Sequence, residues 1–446
     1  MRLLSVLVLG SFVSSLGSGM TAFALGVWAF TAFGTASSVA LLQLGAFAPI
    51  VLLSPAAGVL ADRYDRRIMM VLGDGGSALG LLIVLAAVTH PAPSLALVLT
   101  GVTFSSCLAC LTEPALRASV NELVDAEHYA RASSLLQLAS ASKFLLSPVL
   151  AGALLPHGGV TAVLWVDVST FAVTVTCTLV VRMATSGRAP RPTGDGAMRS
   201  LRRTVALLHE EPAVRTVIIL TSLLTVDLGV LQVLFTPMLL PRFAVGQVGT
   251  AQSVAACGLL VGAAIVGGLG RVAPWMMLSA GLTLVGAGMV GLPLSDSPPA
   301  LTACAFLVFA ALACCNTGAE IVVRTRIADD HQGRAWGLIS LVTQTGYLLA
   351  YAFAGPLADR VFEPLLLPDG ALADGLGRLT GTGAGHGTAL LVGLCGLGAL
   401  TLIPLALSPR LRRVPAPGRA DREAQVPAPQ EEVNADVTAA PAARAR

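Results

Sequence analysis

The sequence predicts an all-α membrane protein in which twelve transmembrane helices form two pseudo-symmetric halves of six helices each. Three observations predict it: an apolar composition, apolar runs of membrane-spanning length, and a repeat with a period of 203 residues. The chain of 446 residues is 55% hydrophobic and 12% charged, whereas soluble proteins are about 25% charged. The alternating pattern of β-barrel strands is absent, so helices are the elements that satisfy the backbone in lipid.

Twelve apolar runs are long enough to cross the hydrocarbon core, which takes about 20 helical residues. The first begins like a signal peptide, with Arg2 ahead of an apolar stretch. It continues past Trp28 without a cleavage site of small residues, so we expect it to be retained. The predicted spans, numbered one to twelve, are residues 4–30, 38–60, 67–89, 94–116, 130–155, 161–182, 214–240, 248–270, 273–293, 299–322, 335–361 and 386–408.

The basic residues predict the orientation of the spans. Only three of the 28, namely Arg242, Arg360 and Arg378, fall in loops on the side opposite the N-terminus. Because basic residues concentrate in cytoplasmic loops, we expect both termini in the cytoplasm and the chain in the inner cell membrane. The same bias explains these residues without a nucleic-acid partner.

Two segments interrupt the apolar pattern. Residues 183–213 contain a stretch rich in Gly, Pro and Arg and then "MRSLRRTVALLHEEP", which predicts a cytoplasmic linker with a short amphipathic helix. Residues 409–446 are rich in Pro, Ala and charge, which predicts a disordered cytoplasmic tail. The N-terminal half is then residues 1–182 and the C-terminal half residues 214–408.

The two halves look duplicated. "RASSLLQL" begins at Arg131 and "RAWGLISL" begins at Arg334, 203 positions later. Six-helix repeats related by an axis along the membrane normal are typical of transporters, with the substrate site near the midplane between the repeats. Upstream of both segments, an acidic and a basic residue lie four positions apart, a spacing at which they face each other on a helix: Glu113 with Arg117, and Glu320 with Arg324.

Motifs of other chemistries are missing from the sequence. A Walker A loop needs Gly-Lys, and the only lysine, Lys143, follows Ser142. The six His residues do not cluster at metal spacing, and the eight Cys residues lie in predicted spans, where we expect them to pack as small residues. We therefore expect no metal, no cofactor and no catalytic centre. A non-transporting sensor or membrane-embedded enzyme remains the alternative from a different class.

One short loop is unusually charged for this chain. The segment "GVLADRYDRR", between spans two and three, resembles the signature G-x-x-x-D-R-x-G-R-R of the major facilitator superfamily, a family of secondary transporters. Asp65 stands where the signature has its second glycine. The matching residues are Gly58, Asp62, Arg63, Arg66 and Arg67.

The resemblance implies a latch between the halves. Asp62 is expected near Arg334, at the N-terminus of span eleven, where the helix dipole favours a carboxylate. Arg66 and Arg67 are expected to reach Glu113 at the inner end of span four. Such links close the cytoplasmic side and break when it opens, and each is worth about 0.3–1 kcal/mol when exposed.

Within the superfamily, residues 113–138 and 333–364 resemble the macrolide-efflux-like branch of the twelve-helix drug antiporters. The branch implies proton-driven export of small amphiphilic compounds by a monomer in the lipid bilayer. Many drug antiporters have an arginine in span four that is linked to proton movement, and this chain has none, so their proton mechanism does not transfer. An importer of a small solute is the alternative among transporters.

A second segment, on span five, resembles the antiporter signature G-P-x-x-G-G. In "SPVLAG" (147–152), Pro148 and Gly152 match the signature, whereas Ser147 and Ala151 stand in place of glycines. Small residues and a proline permit close packing and a bend, and the resemblance favours export.

Lys143, near the middle of span five, is the most specific candidate for the substrate or proton pathway. A charged residue at a helix centre costs about 2.5–3.5 kcal/mol on insertion scales, so it rarely faces lipid. Gln137 and Ser140 lie on one polar face of the helix, with Lys143 at its edge. Facing the central cavity, the lysine would bind an anionic or carbonyl-bearing substrate or carry the coupled proton. An ion pair with Asp227 on span seven is the alternative.

Other polar residues of the spans have two interpretations. Gln344 and Tyr347 belong to a stripe on span eleven that would line the pathway or pack against another helix. Asp74 and Asp167 lie nearer the predicted span ends, where we expect structural roles.

Overall fold

The structure is a computed structural model that describes residues 2–123, 128–184, 211–268 and 272–416. Within these ranges every regular element is helical. Eleven helices there are long and apolar enough to cross a membrane, and one of them, Arg131–Ala184, has 54 residues and covers two spans. The protein is therefore a multi-pass membrane protein, and the predicted all-α fold with twelve spans is confirmed. The linker helix and the tail beyond residue 416 lie outside the described residues.

The observed helices begin and end within a few residues of most predicted limits. Spans one to three are Arg2–Phe33, Ala36–Arg63 and Arg66–Thr89, and span four is Leu95–Ala109 with Thr112–Leu123. Span five is Tyr129–Leu145 with the first part of Ser147–Ala184, and span six is the second part of that helix. Spans seven to eleven are Pro212–Leu239, Val245–Gly268, Pro274–Gly291, Pro298–Arg326 and Asp329–Leu357, and span twelve is His386–Thr401 with Ile403–Ala406. Shorter helices are the π-helical turn Ala358–Phe362, Glu363–Leu365, Gly377–Thr380 and Pro409–Arg412.

A hairpin at Gly159 joins spans five and six. Its φ of 63° is non-helical and lies in a region that glycine enters without the Cβ penalty. Contacts with span one show that the chain reverses its direction here. Ser147 donates a hydrogen bond to the carbonyl of Leu16 at 2.8 Å, and Asp167 packs against Gly17. Because residues 147 and 167 lie at the same depth, the chain turns back between them.

Two prolines account for the breaks inside spans four and five. A helical proline lacks an N–H, and its ring clashes with the carbonyl four residues before it. Pro114 follows the break at residues 110–111, and Pro148 follows the break after Tyr129–Leu145. Next to the breaks, the hydroxyls of Thr112 and Ser147 donate hydrogen bonds to groups on neighbouring spans.

Among the described residues, the two halves share a core on one side of the membrane. We call the face where span one begins the N side and the opposite face the far side. The largest core cluster joins both halves, and its members from the first half, such as Phe23 and Ala40, lie toward the far side. Toward the N side, the described core residues form separate clusters, one around Leu4 in the first half and one around Val323 in the second. The structure is thus closed on the far side.

Two pairs of spans contribute most to this closure. Span two packs against span eleven, where the ring of Phe47 lies edge-on to Tyr347 and Tyr351 with centroids 5.7 Å apart. Span five packs against span eight, where the backbone N–H of Val149 donates to Ser253 at 3.1 Å. These contacts lie between the far side and the middle of the membrane.

The charge pairs that mark the repeat are present in both halves. Arg117 lies 2.7 Å from Glu113, and Arg324 lies 2.6 Å from Glu320. All four side chains are largely exposed, so each pair adds only about 0.3–0.5 kcal/mol. The two pairs are therefore evidence of the duplication and contribute little to stability.

Candidate functional site: a charged cavity in the first half

A cavity of about 330 Å³ lies inside the N-terminal half, and residues from all six of its spans line it. Many of the lining side chains are hydroxyls, including a row of serines on span one. Ionisable residues inside a membrane are costly and mark substrate or ion pathways, which makes this cavity the candidate site. Its titratable side chains are Asp74, Glu113, Lys143, Asp167 and Cys177.

Lys143 reaches the cavity from span five. Its ammonium lies near the carboxylates of Asp167 on span six and Glu113 on span four, without a direct ion pair to either among the described contacts. Ser140, one turn earlier, also lines the cavity, whereas Gln137 is exposed. A lysine and an aspartate therefore place opposite charges in the same cavity of the first half.

Asp167 is held in a tight environment. Its side chain is 1% exposed, and one carboxylate oxygen accepts a hydrogen bond from Thr170 at 3.1 Å. Span one passes so close that a side chain on Gly17 would overlap the carboxylate. An uncompensated buried charge is costly, so the nearby Lys143 ammonium matters to the fold as well as to the site.

Asp74 enters the same cavity from span three. It is 3% exposed. Oδ1 accepts a hydrogen bond from the Thr112 hydroxyl at 3.0 Å, and Oδ2 is buried without a hydrogen-bond partner. Sequence analysis places Asp74 and Asp167 near span ends and assigns them structural roles, but both carboxylates line the cavity.

Asp227, the alternative partner of Lys143, lies in the other half. It is half-buried on span seven, and its charge acts on Cys395 of span twelve. Among the described side chains, the charges that act on Lys143 are those of Asp167 and Glu113. The arrangement gives no support to the predicted pair of Lys143 and Asp227.

The polar stripe of span eleven lies at the boundary between the halves. Tyr347 contacts Phe47 of the first half, and Tyr351 donates a hydrogen bond to Gln232 of span seven at 2.7 Å. Gln344 is half-buried one turn closer to the N side. Tyr347 thus contributes to the closure, and Gln344 lies on its N-side flank.

The charged loop between spans two and three forms local contacts in this structure. Asp65 caps span three by accepting from the N–H of Arg67 at 2.9 Å, and it lies 3.8 Å from Arg182 at the end of span six. The replacement of the signature glycine by Asp65 therefore supplies a helix cap. Gly58 is in open space and Arg63 is exposed.

The expected link from this loop to Glu113 differs from the observed contacts. Arg66 donates to the carbonyl of Ala118 on span four at 3.0 Å, while Glu113 accepts two hydrogen bonds from Arg117. The arginine thus reaches span four, as expected, but at a backbone carbonyl. The side chains of Asp62 and Arg334 lie outside the described residues.

The antiporter-like segment of span five lies in the closure between the halves. A side chain on Gly249 of span eight would overlap the carbonyl oxygen of Pro148. A Cβ on Gly152 would lie 3.4 Å from the Cα atoms of Gly246 and Gly249. Ser147, by contrast, bonds to span one. The proline and glycine that match the signature both contact the second half.

A carboxylate that sequence analysis did not single out joins the halves at the far side. Asp359, in the π-helical turn after span eleven, accepts hydrogen bonds from the backbone N–H groups of Ala36 and Ser37, both at 2.8 Å, and from the Ser37 hydroxyl. These groups form the first turn of span two, where N–H groups lack helical partners and the dipole favours an anion. The second half therefore caps a helix of the first.

Comparison with known proteins gives one family across most of the chain. The family model described as Major Facilitator Superfamily matches residues 7–351. The uncharacterized MFS-type transporter YfiS of Bacillus subtilis is 28% identical over 371 residues, which are 80% of this chain and 87% of that protein.

Two relatives carry the names of exporters. Macrolide efflux protein A of Streptococcus pyogenes is 22% identical over 79% of this chain and 88% of its own length. The enterobactin exporter EntS of Citrobacter koseri is 29% identical over 48% of this chain and 50% of its own length. A bacterial homologue of the lysosomal transporter Spinster, solved in an inward-facing and unoccupied conformation, aligns with a TM-score of 0.67 over 91% of this chain and 95% of its own, at 13% identity.

Proposed function

The chain belongs to the major facilitator superfamily, and from this membership we propose that it is a proton-driven exporter of amphiphilic drugs or natural products. The observation that supports this proposal most strongly is the charged cavity of the first half next to a closure on the far side. The names of two relatives favour efflux. Uptake of a labelled macrolide into inverted membrane vesicles with an acidic lumen tests the proposal.

Alternating access needs two closures that are not formed together. On the far side, Asp359 and the glycine contacts of spans five and eight hold the halves together in this structure. On the N side, we assign the closure to the loop that contains Asp62 and to the start of span eleven at Arg334. With both termini in the cytoplasm, the structure corresponds to the state that receives substrate from inside the cell.

We assign the first step of export to Lys143 and its surroundings. The ammonium lies among hydroxyls and aliphatic side chains, a combination that attracts an anionic or carbonyl-bearing group of an amphiphile. Because the Asp167 carboxylate lies near the lysine, a substrate anion competes with that carboxylate for the ammonium. Such competition links substrate binding to the contact between spans five and six.

Removing the far-side cap with Asp359→Ala is expected to shift the protein toward the state that is open on the far side. A helix cap is worth about 1–2 kcal/mol, which corresponds to about a 5- to 30-fold change in the equilibrium. Distances between spin labels at the far-side ends of the two halves measure this shift. The control is Asp369→Ala, because Asp369 is an exposed carboxylate on the same side. An unchanged distance distribution in Asp359→Ala would show that the cap does not help to hold the far side closed.

Removing the N-side latch with Asp62→Asn is expected to slow turnover about two- to fivefold, since the link is worth about 0.3–1 kcal/mol. The amount of protein in the membrane is expected to stay normal. Initial transport rates, normalised to folded protein, measure the effect. Asp65→Asn is the matched control: asparagine also caps helices, and the lost ion pair with Arg182 is exposed and weak. Wild-type turnover in Asp62→Asn would rule out the latch.

A further inference from the structure

One carboxylate in the cavity has no cation to compensate its charge. Asp167 has Lys143 nearby and accepts a hydrogen bond from Thr170, and Glu113 is paired with Arg117 at 2.7 Å. Among the described residues, Asp74 receives only the hydroxyl of Thr112, which is neutral and cannot compensate its charge. A buried ionised carboxylate without a cation costs several kcal/mol. The negative charge of Asp74 is therefore compensated only when a cation binds to it.

The geometry at Asp74 favours a very small cation. Oδ2 has no hydrogen-bond partner, and Asp74 as a whole is 3% exposed. The neighbouring Ser77 is fully buried, and its hydroxyl already donates to the carbonyl of Gly73 at 2.7 Å. A cavity of about 330 Å³ is at the lower end of the range that holds drug-sized ligands. A proton fits Oδ2 without any rearrangement of these groups.

The surroundings of Asp74 contain few other groups that would take up this proton first. Span one contributes hydroxyls but no titratable side chain to the cavity. The titratable and charged groups of the packed spans are Cys107, Cys110, Glu113 and Arg117 on span four, Lys143 on span five, Asp167, Cys177 and Arg182 on span six, and Asp65, Arg66 and Arg67 on span three itself. Of the carboxylates among them, Asp65 and Glu113 each already have a cationic partner, and Asp167 lies near Lys143 and accepts a hydrogen bond from Thr170.

We propose that Asp74 is the residue that carries the coupled proton. This inference rests on the proposed function as an ion-driven transporter and adds the residue to it. The proton adds to Oδ2 from one side of the membrane and leaves to the other, so that only the O–H bond forms and breaks. In the sequence, Asp74 belongs to none of the family signatures and lies near the end of its predicted span. Neither feature points to a role in proton transport.

The position of Asp74 explains how the proton would act on the gates. Asp74 lies eight residues into span three, about 12 Å along the helix from the N-side loop. Its partner Thr112 begins the second segment of span four, directly before Glu113. Loss of the negative charge weakens the hydrogen bond that Thr112 donates, since bonds to charged acceptors are about twice as strong. The proton thus loosens the contact between spans three and four beside the loop.

Infrared difference spectroscopy tests this assignment without any substrate. The purified protein in lipid nanodiscs is titrated from alkaline to acid pH in potassium buffer. We expect the C=O stretching band of a protonated carboxyl group that is lost in Asp74→Asn, shifted in Asp74→Glu and unchanged in Asp369→Asn. The same band in Asp74→Asn as in the wild type, or no such band in the wild type, would overturn the proposal. Removal of the band by sodium at constant pH would assign the site to sodium instead.

A transport measurement then separates this proposal from the proposed function. For a substrate that the wild type exports, Asp74→Asn is expected to lose accumulation driven by a pH gradient but to keep exchange of labelled for unlabelled substrate. Accumulation by Asp74→Asn at the wild-type level would overturn the role of Asp74 while leaving the proposed function intact. If the wild type transports none of the probes, the proposed function fails, and the infrared band still decides whether Asp74 binds a proton.

Discussion

Replacing Lys143 with methionine is expected to abolish transport. Methionine keeps the length and the apolar stem of the side chain but removes the ammonium, which is the cation that acts on Asp167 and that we assign to the substrate. Transport of a labelled macrolide into inverted vesicles, relative to the amount of folded protein, measures the loss. Normal transport by Lys143→Met would show that the lysine is structural.

The fold needs a separate measurement, because Lys143→Met leaves Asp167 without its cation. Asp167 is 1% exposed, and a buried carboxylate that loses a nearby positive charge is destabilising. We expect a lower thermal midpoint in Lys143→Met and recovery in the double variant Lys143→Met with Asp167→Asn, which stays inactive. Recovery with Asp227→Asn instead would establish the alternative pair. Lys143→Arg keeps the charge and is expected to bind substrate with an altered pH dependence.

Replacing Gly249 with valine is expected to abolish transport by a different route. A Cβ at this position overlaps the carbonyl oxygen of Pro148, and backbone atoms do not move aside as a flexible side chain does. Spans five and eight then no longer approach each other, and the far-side closure is lost. We expect a folded protein that stays open on the far side, which spin-label distances across that side would record together with the loss of transport.

A neighbouring glycine supplies the control for Gly249→Val. At Gly246, which also lies on span eight against span five, a Cβ would lie 3.6 Å from the carbonyl oxygen of Gly152, an ordinary contact. Gly246→Ala is therefore expected to transport at a rate close to that of the wild type. Equal transport by Gly249→Val and Gly246→Ala would contradict the view that this close approach is required for the closure.

The spans were predictable from the sequence because membrane insertion depends on apolar length. The hairpin at Gly159 also falls between two predicted spans, 130–155 and 161–182. The break in span four was not predicted, although Pro114 is a direct signal for it. That break brings Thr112 to Asp74.

The composition of the cavity was only partly predictable. Lys143 stands out because a lone charge in an apolar span is costly. Its partner Asp167 was missed because the pairing depends on the hairpin between spans five and six, which brings residues 143 and 167 to similar depth. Asp359 was missed for the same reason: it caps a helix that begins 323 residues earlier in the chain. Contacts of this kind are set by tertiary packing, and no local pattern records them.

Transport into membrane vesicles of known orientation tests the central claim, export driven by protons, most directly. A labelled macrolide is offered to inverted vesicles with an acidic lumen, and vesicles without the protein and vesicles with Lys143→Met are the controls. We predict accumulation that requires the wild-type protein and stops when an ionophore removes the pH gradient. Enterobactin is the second probe, because one relative is named as its exporter. Accumulation of either probe only in right-side-out vesicles would show import and contradict the account.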